Sequence, residues 1–273
     1  MEKSILITGC SSGIGRCVAM ALHKRGYRVF ATARHPDDVA FLAAEGLEAH
    51  VLDLTDSYSI QRAVDWVLER TGGSLYALFN NGAYGQPGAL EDISREVLRQ
   101  QFETNLFGTH ELTQRVIPVM RAQGFGRIIQ NSSILGFISL KYRGAYVASK
   151  YALEGLSDTL RLELAGSGIV VSLVEPGPIL SQFRANALQA FKNNIPYAAS
   201  FHAQNYRKKI EQRPQEEDGR FTLPPEAVLK QVIHALESSK PRICYPVTFP
   251  TWLFIVLKRF LPRWVLDWVL LKI

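Results

Sequence analysis

The sequence predicts an α/β fold: a single domain built on a doubly wound parallel sheet with helices on both faces. Three observations predict it. Short apolar runs alternate with stretches of helical periodicity along most of the chain. The first run, Ser4–Thr8, passes directly into a glycine-rich turn that opens a helix. The 273 residues are 47% hydrophobic, enough for a sizeable core and too many for a disordered chain.

The elements follow in order. Ser4–Thr8 reads as a buried strand because its apolar run is continuous rather than alternating. Ile14–Lys24 is helical, with Ile14, Val18, Ala21 and Leu22 on one face. Arg28–Ala33 and Ala49–Leu52 are the second and third strands, and Ser59–Glu69 is a helix carrying Ile60, Val64 and Val67. Leu75–Asn80 is the fourth strand, followed by one long helix over Arg95–Arg121. Strand Arg127–Asn131, helix Ala145–Leu164 and strand Ile169–Val174 come next. Pro224-Pro225-Glu226 starts a helix, since proline is tolerated in a first turn, and Arg242–Tyr245 is the last strand.

Between Pro178 and Leu223 this rhythm fails. Phe183, Phe191, Tyr197, Phe201 and Tyr206 are spread through the stretch, which turns highly charged from Arg207 to Arg220. A long irregular segment in a compact domain is usually functional, so residues 179–223 are expected to form a lid. The domain is expected to span 1–250, with an apolar, basic tail over 251–273.

Composition excludes several classes. The net charge of +6 is mild and suits anionic partners such as phosphates, an acidic membrane surface or nucleic acid without choosing among them, but its scatter along the chain argues against nucleic acid. Cys10, Cys17 and Cys244 form no C-x-x-C pair, so neither a disulfide framework nor a zinc site is expected, and the compartment is reducing. The six histidines have no metal-ligand spacing, and no metal is expected. No signal peptide is expected ahead of the first strand. No apolar run reaches the roughly 18 residues of a membrane-spanning helix.

Two motifs carry chemistry. Gly9, Gly13 and Gly15 permit a tight turn and a close backbone approach to a pyrophosphate at a helix N-terminus; Ser11 and Ser12 can donate to phosphate. The same letters spell G-x-S-x-G, a hydrolase nucleophile elbow, but an elbow needs earlier strands to complete its oxyanion hole, and none is read before Ser4. Tyr146 and Lys150 are four residues apart on a helix and share a face. A free phenol titrates near ~10. A neighbouring cation lowers that value, so the pair can move a proton to or from an alcohol oxygen.

With these motifs the chain resembles the short-chain dehydrogenase/reductase family from about Ser4 to Ser181. Thr8–Gly15 matches the family's glycine loop, Asn80-Asn81-Gly82-Ala83 its N-N-A-G, and Asn105 its helix asparagine. Ser133, Tyr146, Lys150 and the turn Pro176-Gly177 match the rest. The resemblance implies a Rossmann-like fold and four catalytic residues. Tyr146 is the general acid in carbonyl reduction and the base in alcohol oxidation. Lys150 lowers its pKa and binds the nicotinamide ribose. Ser133 bonds the substrate oxygen, and Asn105 holds a water linking Lys150 to solvent. It further implies cofactor contacts from Gly9, Ser11, Ser12, Gly13, Ile14, Gly15, Asn81, Pro176, Gly177, Ile179 and Ser181, with Asp53 and Leu54 at the adenine. Gly82-Ala83 inverts the family's Ala-Gly and is expected to tighten the cofactor cleft.

The family's NAD-preferring members carry Asp where this chain has Ala33. Arg34 follows and can pair with a 2′-phosphate, so NADP(H) is the expected cofactor. The expected activity is reduction of an apolar aldehyde or ketone, with Ile138, Leu140 and Tyr142 beside the reacting centre. The alternatives are a hydroxysteroid or retinol dehydrogenase working oxidatively and a non-catalytic NADP(H)-binding sensor. A cytoplasmic homo-oligomer, dimer or tetramer, is expected.

The tail leaves two readings open. Trp252, Trp264 and Trp268 with interspersed Lys and Arg suit peripheral contact with the cytoplasmic face of a membrane, while Pro262 and the charges argue against spanning. The same apolar stripe also suits a cover over a subunit interface or the substrate cleft.

Overall fold

The computed structural model describes residues 3–208 and 221–273. Among these, the strands are β1 (Ser4–Ile7), β2 (Arg28–Ala33), β3 (Glu48–Val51), β4 (Ala77–Asn80), β5 (Gly126–Asn131), β6 (Ile169–Glu175) and β7 (Cys244–Pro246). They form one sheet in the order β3-β2-β1-β4-β5-β6-β7, parallel at every pairing. The order reverses between β1 and β4, and the crevice beyond the carboxyl ends of the strands at such a reversal is where ligands bind.

Helices cover both faces because successive side chains on a strand point to opposite sides. Ile5 and Ile7 pack toward α1 (Gly13–Lys24), α2 (Pro36–Ala44) and α9 (Glu226–Glu237), whereas Leu6 packs toward α3 (Ser57–Thr71) and α5 (Gly108–Gln123). Helix α6 (Gly144–Glu163) lies beside β6. Asp37 and Asp38 sit in the first turn of α2, where the helix dipole stabilises negative charge.

The single helix expected over Arg95–Arg121 is interrupted. Helix α4 (Arg95–Phe102) gives way to a π-helical turn over Glu103–Phe107, and α5 begins at Gly108. The break coincides with close packing at Gly108. A Cβ on Gly108 would lie 1.8 Å from the Leu54 carbonyl oxygen, so the chain must present a glycine there, and the π turn buries Asn105 and Leu106.

The stretch after Pro178 is also more ordered than its sequence suggests. It contains α7 (Phe183–Asn194), a 3-10 turn over Tyr197–Ala199 and α8 (Ala203–Tyr206). Phe191 and Tyr206 are fully buried against Ala89 and Ile195, while Phe201 lies open to solvent. The Tyr206 hydroxyl donates to the Asp92 carboxylate and accepts from the Ala89 amide at 2.8 Å. Most of the charged run expected from Arg207 to Arg220 lies outside the described residues.

The C-terminal segment forms α10 (Phe249–Phe260) and α11 (Arg263–Leu270), with Pro262 at the N-terminus of α11. Phe254 and Leu266 pack on Ile138, joined by Ile134, Leu135 and Phe137. Thr248 and Thr251 are fully buried under Gly177; a Cβ there would meet the Thr248 hydroxyl oxygen at 2.1 Å.

Beside this junction lies a buried carboxylate, Glu175, at the end of β6. Burial, reinforced by the nearby charge of Glu154, raises it from its ordinary 4.5 to about 7, while the Cys244 thiol hydrogen-bonds it and pulls the other way. The folded chain therefore binds this proton more tightly than the unfolded chain, so its contribution to stability is lost as pH rises through the folded value. Glu175→Gln removes the charge. The variant should gain thermal stability over the parent at pH 8 and lose that gain at pH 4.5. An equal difference in melting temperature at both pH values would contradict the buried-carboxylate assignment.

Candidate active site

The glycine loop between β1 and α1 holds the first part of the site. Gly9 and Gly13 have φ of +69° and +54°, left-handed values that favour glycine. A Cβ on Gly15 would lie 2.1 Å from the Gly9 carbonyl oxygen, and one on Gly13 would lie 2.8 Å from Ser181 Cβ. The loop is thus packed on itself and against the turn after β6, with bare backbone at the start of a helix. Ser11 is exposed, and Ser12 and Ile14 are half-buried there. The amide of Cys10 donates to the Thr32 carbonyl at 2.8 Å, so the loop runs beside the end of β2. There Ala33 is buried and Arg34 is exposed, its guanidinium 3.3 Å from His35 Nε2.

Asn81 joins this loop to the rest of the site. Its Nδ2 donates to the carbonyls of Thr8 (2.9 Å) and Gly9 (3.1 Å), and its Oδ1 accepts from Asn131 Nδ2 at 2.9 Å. The Thr8 hydroxyl oxygen accepts from the amides of Asn81 (2.9 Å) and Gly82 (2.8 Å). Gly82 has little room: a Cβ there would lie 3.1 Å from Leu54 Cδ1. The inverted Gly82-Ala83 order thus puts the residue without a side chain at the tight position, against Thr8 and Leu54. Asp53 closes its own turn, accepting from the Thr55 amide (2.9 Å) and hydroxyl (2.8 Å).

The catalytic candidates converge at the ends of β5 and α6. Tyr146, Lys150, Ser133 and Asn105 are all buried. Lys150 Nζ donates to the Asn131 carbonyl at 2.6 Å and lies 5.8 Å from the Tyr146 ring centroid. Ser133 Oγ accepts from the Leu135 amide at 3.1 Å and lies 3.5 Å from the Pro176 carbonyl oxygen. Asn105 Nδ2 donates to the Tyr84 carbonyl (2.9 Å) and to Ser149 Oγ (3.1 Å), while its Oδ1 accepts from the Tyr84 amide (3.1 Å). It therefore braces α6 one residue before Lys150.

Electrostatics differ from the expectation for the pair. Burial pushes the Tyr146 phenol up to about 12, with hydrogen bonding to Ser133 acting against it. Burial also brings Lys150 down to about 8, opposed by the charge of Glu154. Desolvation penalises both charged forms, so the expected lowering of the phenol by Lys150 is overridden.

Two of the expected pocket residues are engaged elsewhere. Ile138 is packed under the C-terminal helices, and Tyr142 packs edge-on against Tyr206 in α8. The aromatic beside Tyr146 is Phe183, edge-on at 5.3 Å between ring centroids. Asn131 and Thr8 were visible in the sequence only as motif letters; their bonding roles emerge from the sheet register, which sets β4 and β5 side by side. Ile179 bridges to Leu223 and packs on the core, and Ser181 Oγ lies 3.4 Å from the Phe183 amide.

Residues 3–200 match the family described as short chain dehydrogenase. An uncharacterized oxidoreductase of Escherichia coli (strain K12), YbbO, is 46% identical over 99% of this chain and 94% of its own length. Retinol dehydrogenase 16 of Mus musculus is 30% identical over 99% of this chain and 90% of its own. Among solved structures, an actinorhodin polyketide ketoreductase with NADPH is 27% identical, with a TM-score of 0.73 over 90% of this chain and 95% of that one. The family match over residues 3–200 and a relative that is 46% identical along 99% of the chain agree, and this chain belongs to the short-chain dehydrogenase/reductase family of oxidoreductases.

Proposed function

We propose that the protein is an NADP(H)-dependent carbonyl reductase acting on an apolar aldehyde or ketone. The observation that carries this reading is the convergence of Tyr146, Lys150 and Ser133 at the same end of the sheet as the glycine loop. The cradle fits a dinucleotide: bare glycine backbone opens α1 beside Ser181 and Asn81, and Asn131 Oδ1 is buried with no hydrogen-bond partner among the described residues. When bound, the cofactor supplies hydride.

The chain's own residues hold and move the proton. Ser133 donates to the substrate oxygen where negative charge develops. Tyr146, protonated across the physiological range, delivers its proton to that oxygen. Lys150 favours the phenolate left behind and binds the nicotinamide ribose. Asn105 fixes the helix that carries both. Gly9, Ser11, Ser12, Gly13, Ile14 and Gly15 take the pyrophosphate. Asp53 and Leu54 take the adenine; Pro176, Gly177, Ile179 and Ser181 take the nicotinamide end.

Preference for NADP(H) follows from charge. An exposed Arg34 beside the uncharged Ala33 leaves the end of β2 cationic, which suits a 2′-phosphate. Reduction is the favoured direction because cellular NADP is mostly reduced. Phe183 against Tyr146 supports an apolar substrate. The likeness to retinol dehydrogenase 16 supports the oxidative alternative, in which the same residues act in reverse. Residues 179–208 and 221–223 serve as part of a lid over this site; the remainder of the expected lid lies outside the described residues. Three unpaired cysteines support a cytoplasmic setting, and Leu156 and Leu162, exposed on α6, support a homodimer or tetramer.

Following NADPH consumption against retinal, ketosteroids and long-chain aldehydes tests the activity and its substrate class. Tyr146→Phe should lower turnover by ~10²–10⁴-fold with NADPH affinity nearly unchanged, because only the transferable proton is lost. Most of the parent rate surviving would remove Tyr146 from the chemistry, and turnover by neither protein would favour the sensor. Ala33→Asp should shift affinity from NADPH toward NADH, since the new carboxylate repels a 2′-phosphate and accepts from a 2′-hydroxyl. An unchanged ratio in fluorescence titration would contradict the placement of the ribose at β2.

A further inference from the structure

Helices α10 and α11 are apolar on two sides. Their inner side is accounted for by Phe254 and Leu266 against the loop that follows Ser133. Their outer side carries Trp252, Val256 and Phe260 at four-residue intervals, then Trp264, Trp268 and Leu271 at helical spacing. All six are more than half exposed, Phe260 and Trp264 by 75% each. A helix facing water on its outer side carries polar residues there; one that is apolar all round is buried on both sides. The structure accounts for one of those sides only.

Charge identifies the occupant of the other. Arg259 and Arg263 on these helices and Lys272 just beyond α11 are exposed, with the Lys272 ammonium 3.3 Å from the Trp268 ring centroid. Lys258 is exposed too, its ammonium over the Tyr151 ring at 5.1 Å. Asp267 is the one carboxylate side chain among residues 249–273. A second copy docked face to face would set these cations against their own kind. An anionic bilayer presents phosphates to the cations and acyl chains to the tryptophans. Among the described residues no helix is long and apolar enough to cross a membrane, and the break at Pro262 gives two short helices suited to lying in the interface plane.

We propose that α10 and α11 form an interfacial paddle that lies on an anionic membrane surface, with Trp252, Phe260, Trp264 and Trp268 in the acyl boundary and Arg259, Arg263 and Lys272 on the head-group phosphates. The inner face of the paddle grips the loop after Ser133, and Thr248 and Thr251 underlie the Pro176-Gly177 turn. Docking therefore holds the catalytic end of the sheet close to the bilayer. The substrate it delivers is a long-chain carbonyl compound dissolved in the membrane, a step that rests on the reductase reading above.

Flotation of the full-length protein with phosphatidylglycerol and with phosphatidylcholine vesicles tests the docking apart from the chemistry. The protein should float with phosphatidylglycerol at low salt and much less with phosphatidylcholine. Trp264→Ser combined with Trp268→Ser should keep the parent melting temperature, since both side chains are exposed, and should lower the floated fraction at least tenfold. The same double variant should reduce a short soluble aldehyde at the parent rate and a vesicle-embedded long-chain aldehyde several-fold more slowly. A protein that floats but reduces neither aldehyde leaves the paddle standing and overturns the reductase. A parent that stays unbound with phosphatidylglycerol, or a double variant that floats equally well, overturns the paddle. So does a parent that does not float and whose mass in solution falls on introducing the double variant.

Discussion

The ammonium of Lys150, held at 2.6 Å on the carbonyl of Asn131, is the interaction on which the rest of the site depends. It pins α6 to the end of β5, and the side chain of the same Asn131 carries the link on to Asn81 and so to the backbone of Thr8 and Gly9. One run of hydrogen bonds thus crosses β5, β4 and β1 at their carboxyl ends. The glycine loop and the Tyr146–Lys150 pair are therefore fixed relative to each other by groups that are themselves largely buried, where polar partners are obligatory. From the far side Asn105 braces the same helix through Ser149, and the π turn that carries Asn105 leads into Gly108, which packs against the Leu54 carbonyl.

The consequences extend outward through the turn after β6. Pro176 meets the Ser133 loop, Gly177 sits on Thr248 and Thr251, and Ser181 sits on Gly13. The C-terminal helices are accordingly part of the support for the catalytic end of the sheet. A tail that packs there on one side and stays apolar on the other couples the site to whatever covers its outer surface.

Much of this was legible in the sequence, because periodicity reports burial directly. Strand Arg28–Ala33 runs over the residues expected, and the first strand differs at Thr8 alone. What was hidden depends on contacts between distant segments. The π turn at Glu103–Phe107 has no local signature, and the contact of Gly108 with Leu54 beside it is between segments distant in sequence. The stretch after Pro178 reads as irregular because the partners of Phe191 and Tyr206 lie far away, around Ala89 and Asp92. Ile138 could be placed near Ser133 by number, but its burial under Phe254 and Leu266 depends on a segment more than a hundred residues later. Charge pairing predicted a lowered phenol at Tyr146; the depth of burial, which sequence spacing does not report, reverses the direction.

The central claim is that a buried, desolvated Lys150 must be charged for Tyr146 to give up its proton. The most direct test is the pH dependence of kcat for carbonyl reduction from pH 6 to 10, with NADPH and substrate saturating. Burial brings Lys150 to about 8 while Tyr146 stays protonated throughout this range. The account predicts a plateau below about pH 8 and a fall of roughly tenfold per pH unit well above it. A rate that holds constant to pH 10 would contradict it.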